Sequence, residues 1–570
     1  MITERVDNIP LLLHELQKSS LIELLNEHFP DHGNWQGLSG GAVTTTFLSH
    51  TLSRNDHRLS HLEDWASKRL HTLRYCLNEP ALKASDFSDD RLGALADKYA
   101  DDEAWYRFEQ AHNQKLLQVY DLNPSNEAIR LDPMIVQSHR AVGGDFQMGY
   151  AKQHRADLPQ MKAMIATLDP LALPLCSVVV PGNTADDVLY IPAIEQMTDY
   201  LPTSGQLLVG DSKMDARATR EHIHNKAHYY LMPLSLKQCP VEQIQTYLSE
   251  QSAAEELLIW REEDKNGKSI TKAKAFEKQA VIESSDGTYC WKERRIVVYS
   301  PAHAKRQRTG FEDRMAKAQA ALDEVFTRKK GKKRHRNFAQ AKQAVHKILA
   351  KHRLNDFIHI HIQTHQNTKT TRGYSDKPKR VSTEMSFSLE YKLNQTAIDQ
   401  YTGRMGWRVY ATNAPQQQFD TLKVVQCYRS QYKIEHKFDE LLHRTTALMP
   451  LFLHKQHRIK ALIRLLLLAL KTATLIQHKV RERLKDTGQQ LKELYPGNPA
   501  RATDRPTTNL LINAFEYIDL VILKVENKMV AQITSLKTIQ LKILDLLEIP
   551  PEKYTDINKF FFSHYDLHEM

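Results

Sequence analysis

Two kinds of periodicity divide the chain. Between residues 8 and 120 the apolar positions recur at helical spacing. Leu11, Leu12, Leu13 and Leu16 are followed by Leu21, Ile22, Leu24 and Leu25, with breaks at 30–33 and 37–41. Residues 42–52 predict a further helix, and Ser88 before Asp89 and Asp90 has the composition of a helix N-terminus. Between 126 and 235 short apolar runs alternate with helical spacing, the pattern of a sheet flanked by helices. Runs at 128–132, 173–180 and 206–211 predict buried strands, and 212–225 predicts a helix after the last of them.

Beyond 240 the pattern turns to β structure over 256–300. Lys265-Asn266-Gly267-Lys268 and Ser285-Asp286-Gly287-Thr288 are hairpin signals, and 296–299 is strand-like. The period then switches: Phe311, Met315, Ala318, Leu322 and Phe326 share one helical face, and a second helix is expected near 338–351. Within residues 357–363 apolar and polar positions alternate, with Ile358, Ile360 and Ile362 on one face and His359 and His361 on the other, a half-buried strand. More strands follow between 384 and 413. The apolar run 461–476 reads as a buried helix; with Arg464 and Lys471 inside it, it is too short and too charged to span a bilayer. A last helical region is expected from 510. In it Ile522, Met529, Leu536 and Ile543 recur every seven residues, with Val525, Gln532, Ile539 and Leu546 three later. That heptad spacing suits either a core helix or a dimer contact.

Three acidic residues give this framework its chemistry. Asp132 and Asp211 end two strand-like runs, and in α/β sheets the carboxyl ends of strands are where sites assemble. Glu435 lies in the stretch 428–442, which reads as one amphipathic helix. Ile434, Phe438, Leu441 and Leu442 anchor it, while Tyr428, Gln431, Glu435 and Leu442 share a neighbouring face. Three carboxylates from two strands and a helix repel one another unless a cation joins them. Hard oxygen donors select a magnesium-type ion, completed by water and phosphate. Asp157, Asp186 and Asp215 are further carboxylates, better read as turn, supporting or helix-start residues. His359, His361 and His365 have the residue type of a metal cluster, but no acidic or cysteine partner at suggestive spacing.

Several motifs in order resemble the DDE-class insertion-sequence transposases. They are Leu131-Asp132; Gly149-Tyr150-Ala151-Lys152 with Arg155, Asp157, Leu158 and Gln160; Pro181-Gly182-Asn183-Thr184-Ala185-Asp186, like that family's P-G-N-T-x-D turn; and Gly210-Asp211. The stretch from Tyr428 to Glu435 is similar to the family's Y-x2-R-x3-E-x6-K signature. Residues 20–97 resemble its helical N-terminal domain. The resemblance implies a mixed α/β fold, with a ribonuclease H-like catalytic core interrupted by a β-rich and helical insertion. It implies that Asp132, Asp211 and Glu435 are catalytic and hold Mg2+ or Mn2+, two ions in all. The partners implied are double-stranded DNA, as terminal inverted repeats and target, and a second copy of the chain on paired ends. Tyr428 is a DNA-contact residue by the same resemblance. The signature's arginine and lysine positions are Gln431 and Leu442 here, leaving either Arg429, His443 or Arg444 as basic substitutes or a different grip on the DNA end.

Composition narrows the picture without redirecting it. With 570 residues, 41% hydrophobic and 26% charged, the chain is globular and too long for one core. The expected divisions are a helical domain at 1–122, a core at 123–240 and 401–485, an insertion at 241–400 and a helical region at 486–570. The net charge is +10, and residues 301–350 alone hold 14 Lys/Arg against 4 Asp/Glu. Within them Lys329, Lys330, Lys332, Lys333 and Arg334 form a basic run, read as a DNA-backbone contact or as a solvated loop. Five scattered cysteines suggest neither a disulfide framework nor a zinc site. Together with an N-terminus lacking a signal pattern, they fit a cytoplasmic, nucleoid-associated protein with no membrane partner. A catalytically silent DNA-binding protein derived from such an enzyme is the alternative.

Overall fold

The computed structural model describes residues 1–150, 155–198, 200–251, 258–263, 269–327, 335–371, 380–525 and 528–558. After strand β1 (Ile2–Arg5), seven helices open the chain: α1 (Ile9–Gln17), α2 (Leu21–His28), α3 (Gly40–Arg54), α4 (Leu62–Ser67), α5 (Leu70–Leu77), α6 (Asp89–Tyr99) and α7 (Asp102–Val119). Side chains fix several starts. Ser39 accepts from the Ala42 amide at the head of α3, and Asp101 from the Ala104 amide, at 2.7 Å, at the head of α7.

The core follows: β2 (Ala128–Gln137), β3 (Gln160–Leu168), β4 (Leu173–Pro181), α8 (Tyr190–Glu195), β5 (Leu207–Val209), α9 (Arg217–Asn225), β6 (Tyr229–Pro233) and α10 (Val241–Ser249). Then come β7 (Leu258–Glu263), β8 (Ser269–Glu283), β9 (Cys290–Tyr299), α11 (Pro301–Asp323), α12 (Phe338–His352), β10 (Ile358–Thr371), β11 (Arg380–Leu393), α13 (Gln395–Gly403) and β12 (Trp407–Thr412). One nine-stranded sheet runs β4-β3-β2-β5-β6-β12-β9-β8-β7. Strands β2, β5 and β6 are parallel and their neighbours antiparallel, consistent with a ribonuclease H-like core.

This topology revises the expected insertion. Strands β7 to β9 extend the core sheet, because β12 pairs with β6 on one edge and β9 on the other. Only α11, α12, the β10–β11 ribbon and α13 gather around a cluster of their own, built on Phe311, Met315, Leu322, Val345 and Leu349. The basic run Lys329, Lys330, Lys332, Lys333 and Arg334 lies outside the described residues, as does the turn at 265–268.

The chain closes with α14 (Thr421–Arg429), α15 (Tyr432–Asp439), α16 (Gln456–Thr487), α17 (Thr508–Asn513), β13 (Asp519–Val525), β14 (Lys528–Ile533), α18 (Thr538–Leu547) and α19 (Glu552–Thr555). The heptad expectation fails at its first half. Residues 519–533 form two strands, and β1 completes a sheet ordered β1-β13-β14. A seven-residue repeat fixes which residues are apolar but not the backbone that carries them, and 520–523 is a Leu-Val-Ile-Leu run of strand character.

Helix α16 is the axle of the fold. It packs against α3, α6, α18 and β4, and its centre is wholly buried. Its two internal charges both find partners. Lys471 donates to Asn113 Oδ1 (2.8 Å) and the Leu175 carbonyl (3.2 Å), and Arg464 donates to the Tyr99 carbonyl (2.8 Å) and to Asp102. No described helix is long and apolar enough to cross a membrane. Replacing Leu466, fully buried at mid-helix, with alanine should cost about 2–5 kcal/mol. Urea unfolding followed by circular dichroism should show the midpoint falling.

Candidate active site

The ladder itself brings the two aspartates together. Arg130 on β2 is the parallel partner of Val209 on β5. Both aspartates follow two residues after that pair, Asp132 still within β2 and Asp211 just past the end of β5. Asp132 is in the middle of β2, not at its end as the sequence suggested; the strand continues to Gln137, held by β3 alone. Beyond Val209 the chain leaves β5, and the gap between the parting strands opens the pocket. The helix expected at 212 begins only at Arg217, since Asp215 is drawn away to accept from the Ser235 amide at 2.6 Å.

Asp211 is held from two sides. The Tyr190 hydroxyl donates to its Oδ1 at 2.7 Å and the Lys213 amide to the same oxygen at 2.8 Å. Gly210 permits this, because a Cβ there would lie 2.6 Å from Met214 Sδ and 2.9 Å from the Tyr190 ring. Burial, then the charges of Asp211 and Asp132, push the Tyr190 hydroxyl well above its ordinary value, so it remains a donor.

Glu435 comes from α15. The single helix expected over 428–442 is broken: α14 ends at Arg429, and the i→i+3 bonds Gln431 N to Tyr428 O and Ile434 N to Gln431 O carry the chain into α15. Ile434, Leu441 and Leu442 are buried as the apolar stripe predicted, with Phe438 half-buried. Lys437 sets the rotation of α15, its ammonium donating to Glu440 Oε2 (2.6 Å) and Thr474 Oγ1 (3.0 Å) of α16. Glu435 is left exposed at the pocket.

Asp132, Asp211, Glu435, Tyr428, Gln431 and Leu442 thus line one open pocket of about 400 Å³. Among the described residues no three acidic, histidine or cysteine side chains close around a single point. The carboxylates face a shared space rather than forming a cage. Burial and the neighbouring Tyr410 raise the Tyr428 hydroxyl, so it too stays protonated.

The residue that sequence reasoning missed is Arg130. It shares a strand face with Asp132 and is fully buried. Its guanidinium forks onto Asp169 (2.6 and 3.0 Å), donates to the Cys427 carbonyl (2.8 Å) and reaches Gln431 Oε1 (3.3 Å). The strand bearing the first aspartate is thereby tied to the junction bearing the glutamate. The one sequence signal was a second charge two residues before Asp132 in an otherwise apolar run.

Other candidates lie elsewhere. Arg429 turns from the pocket, donating to the Lys272 carbonyl and Ser300 Oγ, both at 2.5 Å. Arg444 pairs with Asp439 at 2.5 Å. Asp186 pairs with Lys162 (2.5 Å) and Asp157 with Arg155 (2.8 Å). His359, His361 and His365 project from the β10–β11 ribbon, where His365 meets Ser388 Oγ at 2.8 Å.

A model of the transposase DDE domain family matches residues 128–471, from the first residue of β2 into the middle of α16. The chain belongs to that family. This DDE transposase is also similar to a solved structure, the piggyBac transposase synaptic complex with hairpin DNA. Identity is 10%, over 61% of this chain and 73% of that one, with a TM-score of 0.23, too slight a likeness to transfer anything between them. No curated protein matches the chain. DDE transposases use divalent metal ions. The donor set here suits them: three carboxylates, in a space that leaves room for water and phosphate to complete the shell.

Replacing Arg130 with methionine should cost about 3–5 kcal/mol, because it strands the buried Asp169 carboxylate. Arg130→Lys should recover only part, a point charge being unable to replace the planar fork. Thermal melts of both variants measure this.

Proposed function

We propose that this DDE transposase cuts DNA at the ends of an insertion element and joins the freed 3′ hydroxyl to target DNA. Asp132, Asp211 and Glu435 would hold two magnesium or manganese ions. The carrying observation is that these three carboxylates, far apart in sequence, line one open pocket. Bound there, such ions would supply an activated water and offset charge on the leaving oxygen.

The chain's own residues do the positioning. Tyr190 and the Lys213 amide fix Asp211, Arg130 fixes β2 against the α14–α15 junction, and Lys437 fixes the face that α15 presents. The Tyr428 and Tyr190 hydroxyls remain protonated beside the carboxylates. No protein nucleophile is needed, since an in-line displacement asks mainly for alignment of the reacting groups. In this reading the run Lys329 to Arg334 adds sequence-independent affinity for the backbone, the N-terminal helices bind the element's ends, and two copies act on paired ends.

Gln431 and Leu442 favour a second reading. They place a neutral amide and a buried apolar side chain in the pocket wall where the family signature has cations. A catalytically silent DNA-binding protein would keep the pocket and lose the reaction. Linear DNA carrying the element's ends, incubated with magnesium, separates the two. Wild type should nick it. Glu435→Gln should lower nicking by at least the roughly 10–100-fold that loss of a metal's supporting groups costs, with end binding retained. Wild-type binding without nicking would select the second reading, and full nicking by the variant would refute the triad.

A further inference from the structure

The row of the sheet that holds the aspartates continues beyond them. Val209 on β5 pairs with Leu231 on β6, and Pro233, two residues on, pairs with Tyr410 on β12. Counting two residues on from the Arg130–Val209–Leu231 row, Asp132 on β2, Asp211 just past β5 and Pro233 on β6, paired with Tyr410 on β12, follow the same order across the sheet. Tyr410 lies on the pocket side, its ring 4.4 Å from that of Tyr428. Arg408 shares that face of β12 and stands two residues further out, beyond the row. Arg408 is exposed, and strand spacing places its backbone roughly 14 Å across the sheet and roughly 7 Å further along the strand direction from that of Asp132.

The neighbouring strand delivers a second cation to the same place. Arg408 pairs with Val298 on β9, which ends at Tyr299 and turns at Ser300 into α11. His303 in the first turn of α11 has its Nε2 3.2 Å from Arg408 Nε. Arg306, in the next turn, is exposed. Neither Arg408 nor Arg306 has a carboxylate within ion-pair distance among the described residues, and Arg429 beside them is spent on Lys272 and Ser300. Burial, then the charges of Arg408, Arg306 and Arg429, lower the His303 imidazole to about 4. It is therefore neutral at physiological pH and accepts from Arg408, orienting the guanidinium. Cations gathered without counter-charge repel one another, and an anion between them relieves that cost.

We propose that Arg408 and Arg306 form a subsite for backbone phosphates of the DNA strand in the pocket, a few nucleotides from the scissile bond. The subsite rests on reading the pocket as the DNA-cutting site. Its contacts go to phosphate, so it supplies register and salt-dependent affinity and is blind to sequence.

The test uses the full chain and a fluorescein-labelled linear duplex of arbitrary sequence, in EDTA so that nothing is cut. Affinity is measured against KCl concentration. Each phosphate contact contributes about 0.9 to the slope of log K on log salt, so Arg408→Gln with Arg306→Gln should reduce the slope by about 1–2. Arg408→Lys should keep the wild-type slope. Both side chains are exposed, and Arg306→Gln alone, on the surface of α11, gives a smaller fall of the same sign. An unchanged slope in the double variant, with its melting temperature intact, overturns the subsite. With magnesium and end-bearing DNA, the double variant should raise KM more than it lowers kcat; the reverse overturns its placement beside the pocket. Full nicking by Glu435→Gln would instead overturn the pocket reading and leave the EDTA slopes to be judged by themselves.

Discussion

A charged guanidinium buried out of reach of water must find all its partners inside the protein, or the fold loses several kilocalories per mole. Arg130 is in that position, and its partners come from three directions: Asp169 just after β3, the Cys427 carbonyl at the end of α14, and Gln431 at the head of α15. The requirement is geometric as well as energetic, because a forked donor accepts only a narrow range of positions. Satisfying Arg130 therefore locates the glutamate-bearing helix relative to the aspartate-bearing strand, across about three hundred intervening residues. The β2–β5 register locates the second aspartate.

The same interaction gives a physical sense to the glutamine at position 431. A guanidinium there would face the guanidinium of Arg130 in a site with little water, and like charges at that range repel strongly. Glutamine offers Arg130 an acceptor instead. Its amide nitrogen is then left, within the pocket wall, with no hydrogen-bond partner among the described residues. The departure from the family signature and the buried arginine on β2 form one arrangement: the positive charge stands behind the helix junction rather than on it.

Much of this was legible in the chain. The strand runs at 128 and 206 and the anchoring stripe Ile434, Leu441 and Leu442 followed from local pattern, because burial of one face dictates apolar spacing. Pattern placed Asp132 and Asp211 at the ends of strand runs and Glu435 beside the anchoring stripe, and family resemblance added the catalytic role. What local pattern left open is set by partners distant in sequence. Asp132 proved to be mid-strand because β3 goes on pairing after β5 departs. The 428–442 helix proved to be broken where Cys427 and Gln431 turn toward Arg130. The 519–533 repeat proved to be a hairpin because β1, at the opposite end of the chain, supplies its third strand. Asp169 carried no signal, since a lone aspartate in a turn looks like any other.

The junction between α14 and α15 also explains how a long excursion through β7 to β11 leaves the site undisturbed. Consecutive positions there grip different parts of the sheet. The Cys427 carbonyl holds Arg130 of β2, the Tyr428 ring packs on Tyr410 of β12, and Arg429 holds Lys272 of β8 and Ser300 at the head of α11. The Arg429 guanidinium also lies over the Trp260 ring of β7, 5.4 Å from its centre. A residue that by sequence looked like a DNA contact thus clamps the sheet extension to the helix carrying the glutamate. Since β12 pairs with β6 on one edge and β9 on the other, the added strands are continuous with the sheet that carries Asp132.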